Sequence, residues 1–146
     1  MLALARRTLG PLASRVDFHE GLTETAPEGP FDAAACLLTL HFLDEDERRK
    51  TLAQIRRRLK PGAQFVMAHF SFPQADGEKA KWLARFAAFA AASGMPEDNA
   101  QTAAAAISER LPILTPEQDE ALLLEAGFAG VEMFYAGFTF RGWVGY

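Results

Sequence analysis

The sequence is short of several things, and each shortage excludes something. One cysteine, Cys36, in 146 residues rules out an internal disulfide. No apolar run approaches the ~20 residues of a membrane-spanning helix. Neither H-x-x-H nor C-x-x-C spacing occurs, so His19, His41 and His69 would have to converge from three segments to hold a metal. There is no G-x-S-x-G elbow, which argues against a Ser-His-Asp hydrolase. There is no G-x-G-x-G either, so the sequence carries no glycine-rich dinucleotide-binding fingerprint. Lys and Arg number 15 against 19 Asp and Glu, and the net charge of −4 argues against a nucleic-acid footprint.

What is present suits one α/β domain spanning residues 1–146, long enough to bury a core. The chain is organised around residues 31–72. Ala33 to Leu40 form a nearly continuous apolar run of strand length, and a run without polar alternation suits a strand covered on both faces. Asp44 with Glu47 forms a capping signal, and Leu52, Ile55 and Leu59 recur at helical spacing, which predicts a helix over 44–60. Pro61-Gly62 stops it, and Gln64 to Phe70 reads as a second apolar strand. Strand, helix and strand of these lengths form a right-handed crossover. Arg56, Arg57, Arg58 and Lys60, opposed by acidic residues at the other end of the same helix, read as a solvated face. Cys36 reads as inert core.

The order FD, apolar strand, TLHFL, acidic-to-basic helix, LKPG, apolar strand resembles the central part of the class I S-adenosylmethionine (SAM)-dependent methyltransferases. Within them the chain is most similar to the small-molecule methyltransferase type 12 and carboxy-SAM synthase branch. The resemblance implies an incomplete Rossmann-like sheet with a terminal antiparallel hairpin and a helical insertion at about 76–111. Met1 to Leu9, with its M-L-x-x-A-R pattern, resembles the helix after that family's second strand. On that reading the chain is N-terminally incomplete, lacking the first strand, the glycine loop and the acidic residue that ends the second strand.

Five strands are expected, near 15–19, 33–40, 64–70, 131–136 and 138–145. The first three should be parallel and the last antiparallel beside them. Segment 15–19 should be detached from or poorly paired with 33–40, because the family's first two strands lie between them. Residues 79–93 and 97–110 read as helices, with Trp82, Phe86 and Phe89 along one face of the first. That stripe reads as core or as the underside of a lid over the ends of strands 33–40 and 64–70. Thr115-Pro116-Glu117-Gln118 is a strong helix start, and Gly127 the matching stop.

In an open α/β sheet a ligand sits outside the C-terminal strand ends. The resemblance implies SAM as cofactor, with Leu22 and Thr23 where the family holds adenine and Leu38 and Thr39 at the next strand end. Leu22 replaces an Asp often used there, and Leu38 replaces the Asn of carboxy-SAM synthases, so backbone groups alone remain at both. His41, His69, Phe70 and Trp82 are the candidate acceptor pocket, and no catalytic residue stands out. A neutral imidazole near an acceptor can take its proton; the plainer reading is a locally satisfied histidine. The family's substrate-carboxylate arginine has no clear counterpart, Arg110 being the lone cation of its segment. The expected activity is methyl transfer from SAM to a small molecule in the cytoplasm, without nucleic acid or membrane, by a chain weak or inactive alone. The alternative is a non-catalytic remnant that associates with itself or with a partner chain at an open sheet edge.

Overall fold

The computed structural model describes all of residues 1–146. Four strands form one sheet in the order β1-β2-β4-β3: β1 (Phe31–Leu37), β2 (Leu59–Phe70), β3 (Val131–Gly137) and β4 (Phe140–Gly145). β1 and β2 are parallel, and β4 is antiparallel to both β2 and β3. The helices are α1 (Leu2–Leu9), α2 (Glu45–Arg57), α3 (Glu78–Ala92), α4 (Glu97–Arg110) and α5 (Pro116–Glu125).

Local chemistry sets the helix ends. Asp44 accepts from the Glu47 N–H at 2.8 Å while Glu47 accepts from the Asp44 N–H at 3.1 Å, a reciprocal capping box. Thr115 and Gln118 repeat the arrangement at α5, with Pro116 in its first turn. Asp44→Ala is expected to cost about 1 kcal/mol, read as a lower urea midpoint with unchanged slope. The end of α2 falls earlier than Pro61: Arg58 caps it and Leu59 already belongs to β2. The pairing jumps from Phe31↔Leu59 to Ala33↔Gln64, so residues 60–63 bulge, with Gly62 at φ 73°.

The main core lies between one face of the sheet and helices α2 and α5. Leu52, Phe65, Met67, Leu123 and Trp143 are all fully buried there, each contributing ~1.5–3 kcal/mol of burial. A second cluster joins α3 and α4 through Leu83, Ala87, Ala100, Ala104 and Ile107, with Phe72 linking it to the strand end.

Four expectations need correction. Residues 15–19 form no strand: a 3-10 turn occupies Gly10–Arg15, and the chain beyond it pairs with nothing. The alternating RVDFH pattern is strand-like, but a strand needs a ladder to satisfy its N–H and C=O groups. The absence of a ladder to 33–40 is as expected. Second, β1 begins at Phe31 and stops at Leu37, because Leu38 turns to φ 57° and a 3-10 turn follows at Leu40–Phe42. Third, the sheet is not covered on both faces: Ala33, Ala35 and Leu37 are exposed while Ala34 and Cys36 are half-buried. Fourth, Arg58 is no part of a solvated face; it is 4% exposed and donates to the carbonyls of Gln54, Pro27 and Glu24.

The hairpin turns at Phe138-Thr139, one residue beyond Gly137, with Phe138 at φ 52°. Its tip meets α3, where Phe89 stacks on Phe138 at 4.5 Å. The buried face of α3 is Leu83–Ala87, turned toward α4; Trp82 and Phe86 are half-buried and Phe89 is 50% exposed. The helix pair therefore rests on the end of β2 and on the hairpin tip, with Phe70 meeting Phe86 at 5.9 Å.

Candidate functional site

The C-terminal end of β2 gathers three of the four candidate pocket residues. Along β2 the side chains alternate, so His69 points into the main core and Phe70 to the other face. His41, in the 3-10 turn after β1, lies over that end, its ring 4.9 Å from Phe70 and 6.3 Å from His69. Phe70 stacks on Phe140 at 4.2 Å across the β2–β4 pair. Trp82 joins from α3, through the second cluster that Phe70 also borders. The guanidinium of Arg141 sits 5.1 Å over the Trp82 ring and donates to the Phe138 and Phe140 carbonyls.

His41 is 3% exposed, and its pKa is lowered to about 4 by burial first, then by the neighbouring His69 and Arg48. Its Nδ1 accepts from the Phe70 N–H at 3.3 Å. A ring whose Nδ1 lone pair is engaged carries its proton on Nε2, so His41 is set up as a neutral donor and not as a base. In an NMR titration His41 is expected to show no protonation step between pH 8 and 5. Because its folded pKa lies below the ordinary 6.5, it contributes stability above pH 6.5 that is lost as pH falls through about 4. Glutamine at 41, which keeps an acceptor, should flatten the stability slope in that window.

Behind His41 lies a buried ionic group that the sequence pattern did not reveal. Arg48 and Asp119 are both fully buried and joined at 2.6 Å. Arg48 also donates to the carbonyls of Leu43 and Pro112. His69 Nε2 lies 3.2 Å from Asp119 Oδ2, off the line of a good hydrogen bond. Burial pushes the Asp119 carboxyl up, but His69 and Arg48 pull it further down, so it stays ionised below its ordinary range. The signal was in the spacing: Arg48 precedes Leu52 by four and Asp119 precedes Leu122 and Leu123, each a charge on an apolar stripe.

The four candidate cofactor residues are not brought together. Leu38 and Thr39 sit at the C-terminal end of β1, both exposed, with Thr39 Oγ1 donating to the Leu37 carbonyl. Leu38 is a non-glycine residue in the left-handed region, a strained geometry common at functional strand ends. Leu22 and Thr23 open the 3-10 turn Thr23–Thr25, whose Glu24 carbonyl is held by Arg58 at 3.1 Å. The Arg58 carbonyl in turn accepts from the Phe31 N–H at the opposite end of β1. Leu38 follows the last residue of that strand, Leu37.

Residues 1–62 match the family model described as a methyltransferase domain. The chain is 26% identical over 148 residues to the carboxy-S-adenosyl-L-methionine synthase of Chromohalobacter salexigens, covering 100% of this chain and 55% of that protein. Among solved structures, an O-methyltransferase family protein from Burkholderia thailandensis superposes with TM-score 0.68 at 16% identity, over 99% of this chain and 40% of that one. Human N-acetylserotonin methyltransferase, in complex with SAM, gives TM-score 0.60 at 16% identity, over 90% and 34%. The chain thus spans about half the length of the curated relative it matches, and less of the solved structures. Over residues 1–62 the chain is thus similar to a methyltransferase domain, and over its whole length it shares the fold of SAM-dependent methyltransferases.

Proposed function

We propose that the chain serves SAM-dependent methyl transfer to a small molecule, as the C-terminal side of a catalytic domain with its helical insertion at about 76–111. The observation that carries this reading is the end-to-end match to a carboxy-SAM synthase combined with the fold of structures that hold SAM or its product. Leu38 and Thr39 fit one margin of the cofactor through backbone groups, and Leu22 and Thr23 are proposed for adenine once their loop is drawn to the strand ends. On this reading the four form only part of a SAM site, so the chain alone is read as weak or inactive. Bound SAM supplies a methyl already activated on a sulfonium, and alignment of the acceptor is then the main task.

Alignment falls to the aromatic wall of Phe70 and Trp82 and to His41, which offers a neutral Nε2–H toward an acceptor oxygen. His69 steadies the strand end from beneath. Burial of such a wall excludes water from the acceptor. No helix is long and apolar enough to cross a membrane, and a cytoplasmic location goes with this reading. The second reading, association through the open edge of β1, is favoured by the missing strand neighbour on that side. The test joins this chain to the part of the Chromohalobacter salexigens synthase outside the match and measures SAM binding by calorimetry. Recovered binding supports the first reading; a folded chimera that binds no SAM overturns it.

A further inference from the structure

We infer that Arg141 recognises a carboxylate carried by the methyl acceptor, and so selects an anionic, ring-bearing small molecule. The inference rests on the methyltransferase reading for what the bound molecule undergoes, and deepens it by naming the acceptor's class. Arg141 lies in β4 beside the hairpin tip, with His69 of β2 as its ladder partner. The residue before it, Phe140, is the one stacked on Phe70. The guanidinium therefore stands at the rim of the wall formed by Phe70 and Trp82, its carbon 5.1 Å from the centre of the Trp82 ring. A ring held against Phe70 also lies beside His41, whose own ring is 4.9 Å from Phe70.

The charge has no counter-ion in the fold. Arg48, Arg49, Arg57 and Arg58 each meet a carboxylate, at 2.6 to 3.7 Å. Arg141 meets none: it is half-buried, and burial lowers its pKa with no acidic neighbour to pull it back up. A guanidinium stays protonated through such a shift, so the site keeps a full positive charge. Taking a cation part-way out of water without a partner is costly. The Trp82 face offsets some of that cost but brings no formal negative charge. Glu78, one helical turn before Trp82, is engaged by Lys81. Arg85 stands over the same indole at 4.8 Å, adding positive charge to the rim.

The donors of Arg141 divide in two. Nη1 donates to the carbonyls of Phe138 and Phe140 at 2.7 and 2.8 Å, which fastens the hairpin tip. Nε and Nη2 donate to nothing in the chain, and neither is sealed from solvent. Fastening the tip needs only a simple donor, which lysine or glutamine also supplies; the second half of the guanidinium is left over. Nε and Nη2 share one edge of the guanidinium plane, and their parallel N–H bonds match the two oxygens of a carboxylate. The bonds from Nη1 fix that plane before any ligand arrives, so little freedom is lost on binding. One open fork beside the apolar Phe70, Phe140 and Trp82 suits a monoanion on a ring. A phosphate, with three oxygens and more charge, would leave part of itself unpaired there.

The test titrates the full chain, nitrogen-15 labelled and without SAM, with benzoate, benzamide and inorganic phosphate at constant ionic strength. Trp82 and Trp143 give the two indole N–H signals of the protein, assigned with Trp82→Phe. Benzoate is expected to move the Trp82 signal saturably and leave that of buried Trp143 in place, with benzamide and phosphate roughly tenfold weaker or worse. Arg141→Gln keeps a donor for the Phe138 and Phe140 carbonyls and is expected to lower benzoate affinity roughly tenfold or more. Arg141→Lys should lose nearly as much, since a point charge lacks the fork; it decides the matter if the glutamine variant fails to fold. Lys50→Gln, on the exposed side of α2, should change nothing. The inference is overturned by benzamide or phosphate matching benzoate, by no binding of benzoate, or by affinity that survives both Arg141 variants. The readout needs no SAM. Benzoate held through Arg141, beside a chimera that binds no SAM, would keep the anion site and remove only its place in methyl transfer.

Discussion

Replacing Arg48 by methionine is expected to cost about 3–5 kcal/mol of stability, enough to unfold a domain of ordinary margin. Asp119 would then keep its charge in a fully buried site with only His69 and Ser71 beside it. The carbonyls of Leu43 and Pro112 would lose their donor as well. Because Arg48 lies on α2, Asp119 on α5 and His69 on β2, the group clamps three elements that share no local sequence. Removing both charges, as in Arg48→Met with Asp119→Leu, is expected to recover most of the loss, because two apolar chains need no mutual compensation. Urea unfolding of the two single variants and the double variant checks this. A double variant as unstable as the sum of the singles would show that the pair is not the coupled unit argued here. On acidification the Asp119 contribution holds above its ordinary pKa of 3.8 and is lost as pH falls through the lower folded value, below the His41 window.

Calorimetric titration of the 146-residue chain with SAM is expected to show weak binding or none, and no methyl transfer. A neutral hydrogen bond contributes ~0.5–1.5 kcal/mol net. Two or three of these from Leu22, Thr23 and Leu38 hardly offset the several kcal/mol that association costs. The geometry strengthens the expectation, since the Leu22–Thr23 turn is pinned by Arg58 at one end of β1 and Leu38 lies at the other. Drawing them together would break the Arg58 bonds to Glu24 and Pro27. Micromolar affinity in the isolated monomer would overturn this account, because the cofactor site would then depend on nothing beyond these residues.

Much of the fold is legible where local chemistry decides it. The capping boxes at Asp44 and Thr115 are satisfied within four residues, so a short window of sequence contains the whole interaction. The hairpin at 131–145 follows from proximity, and β2 from an apolar run. The candidate pocket was legible only as strand ends: His41, His69 and Phe70 meet because β1 and β2 are parallel and in register. Segment 15–19 was misread because alternation specifies a strand's faces and says nothing of its neighbour.

By itself, then, the sequence determined the β1–α2–β2 crossover, the terminal hairpin, the helix boundaries set by caps, and the likeness to methyltransferases carried by TLHFL and LKPG. Each rests on contacts between residues close in the chain or on a periodicity that any one element displays. Only the tertiary structure decided the rest. It paired Arg48 with Asp119 across 71 residues, gave His41 a neutral ring by burying it against Phe70, and tied the turn after Leu22 to Arg58 through the Glu24 carbonyl. It also left the Ala33–Ala35–Leu37 face bare, although the unalternated run reads as covered on both sides. The physical reason is common to all four. Burial, charge pairing and cover depend on which distant surfaces meet, and a local pattern records that a side chain is apolar or charged without recording what lies opposite it.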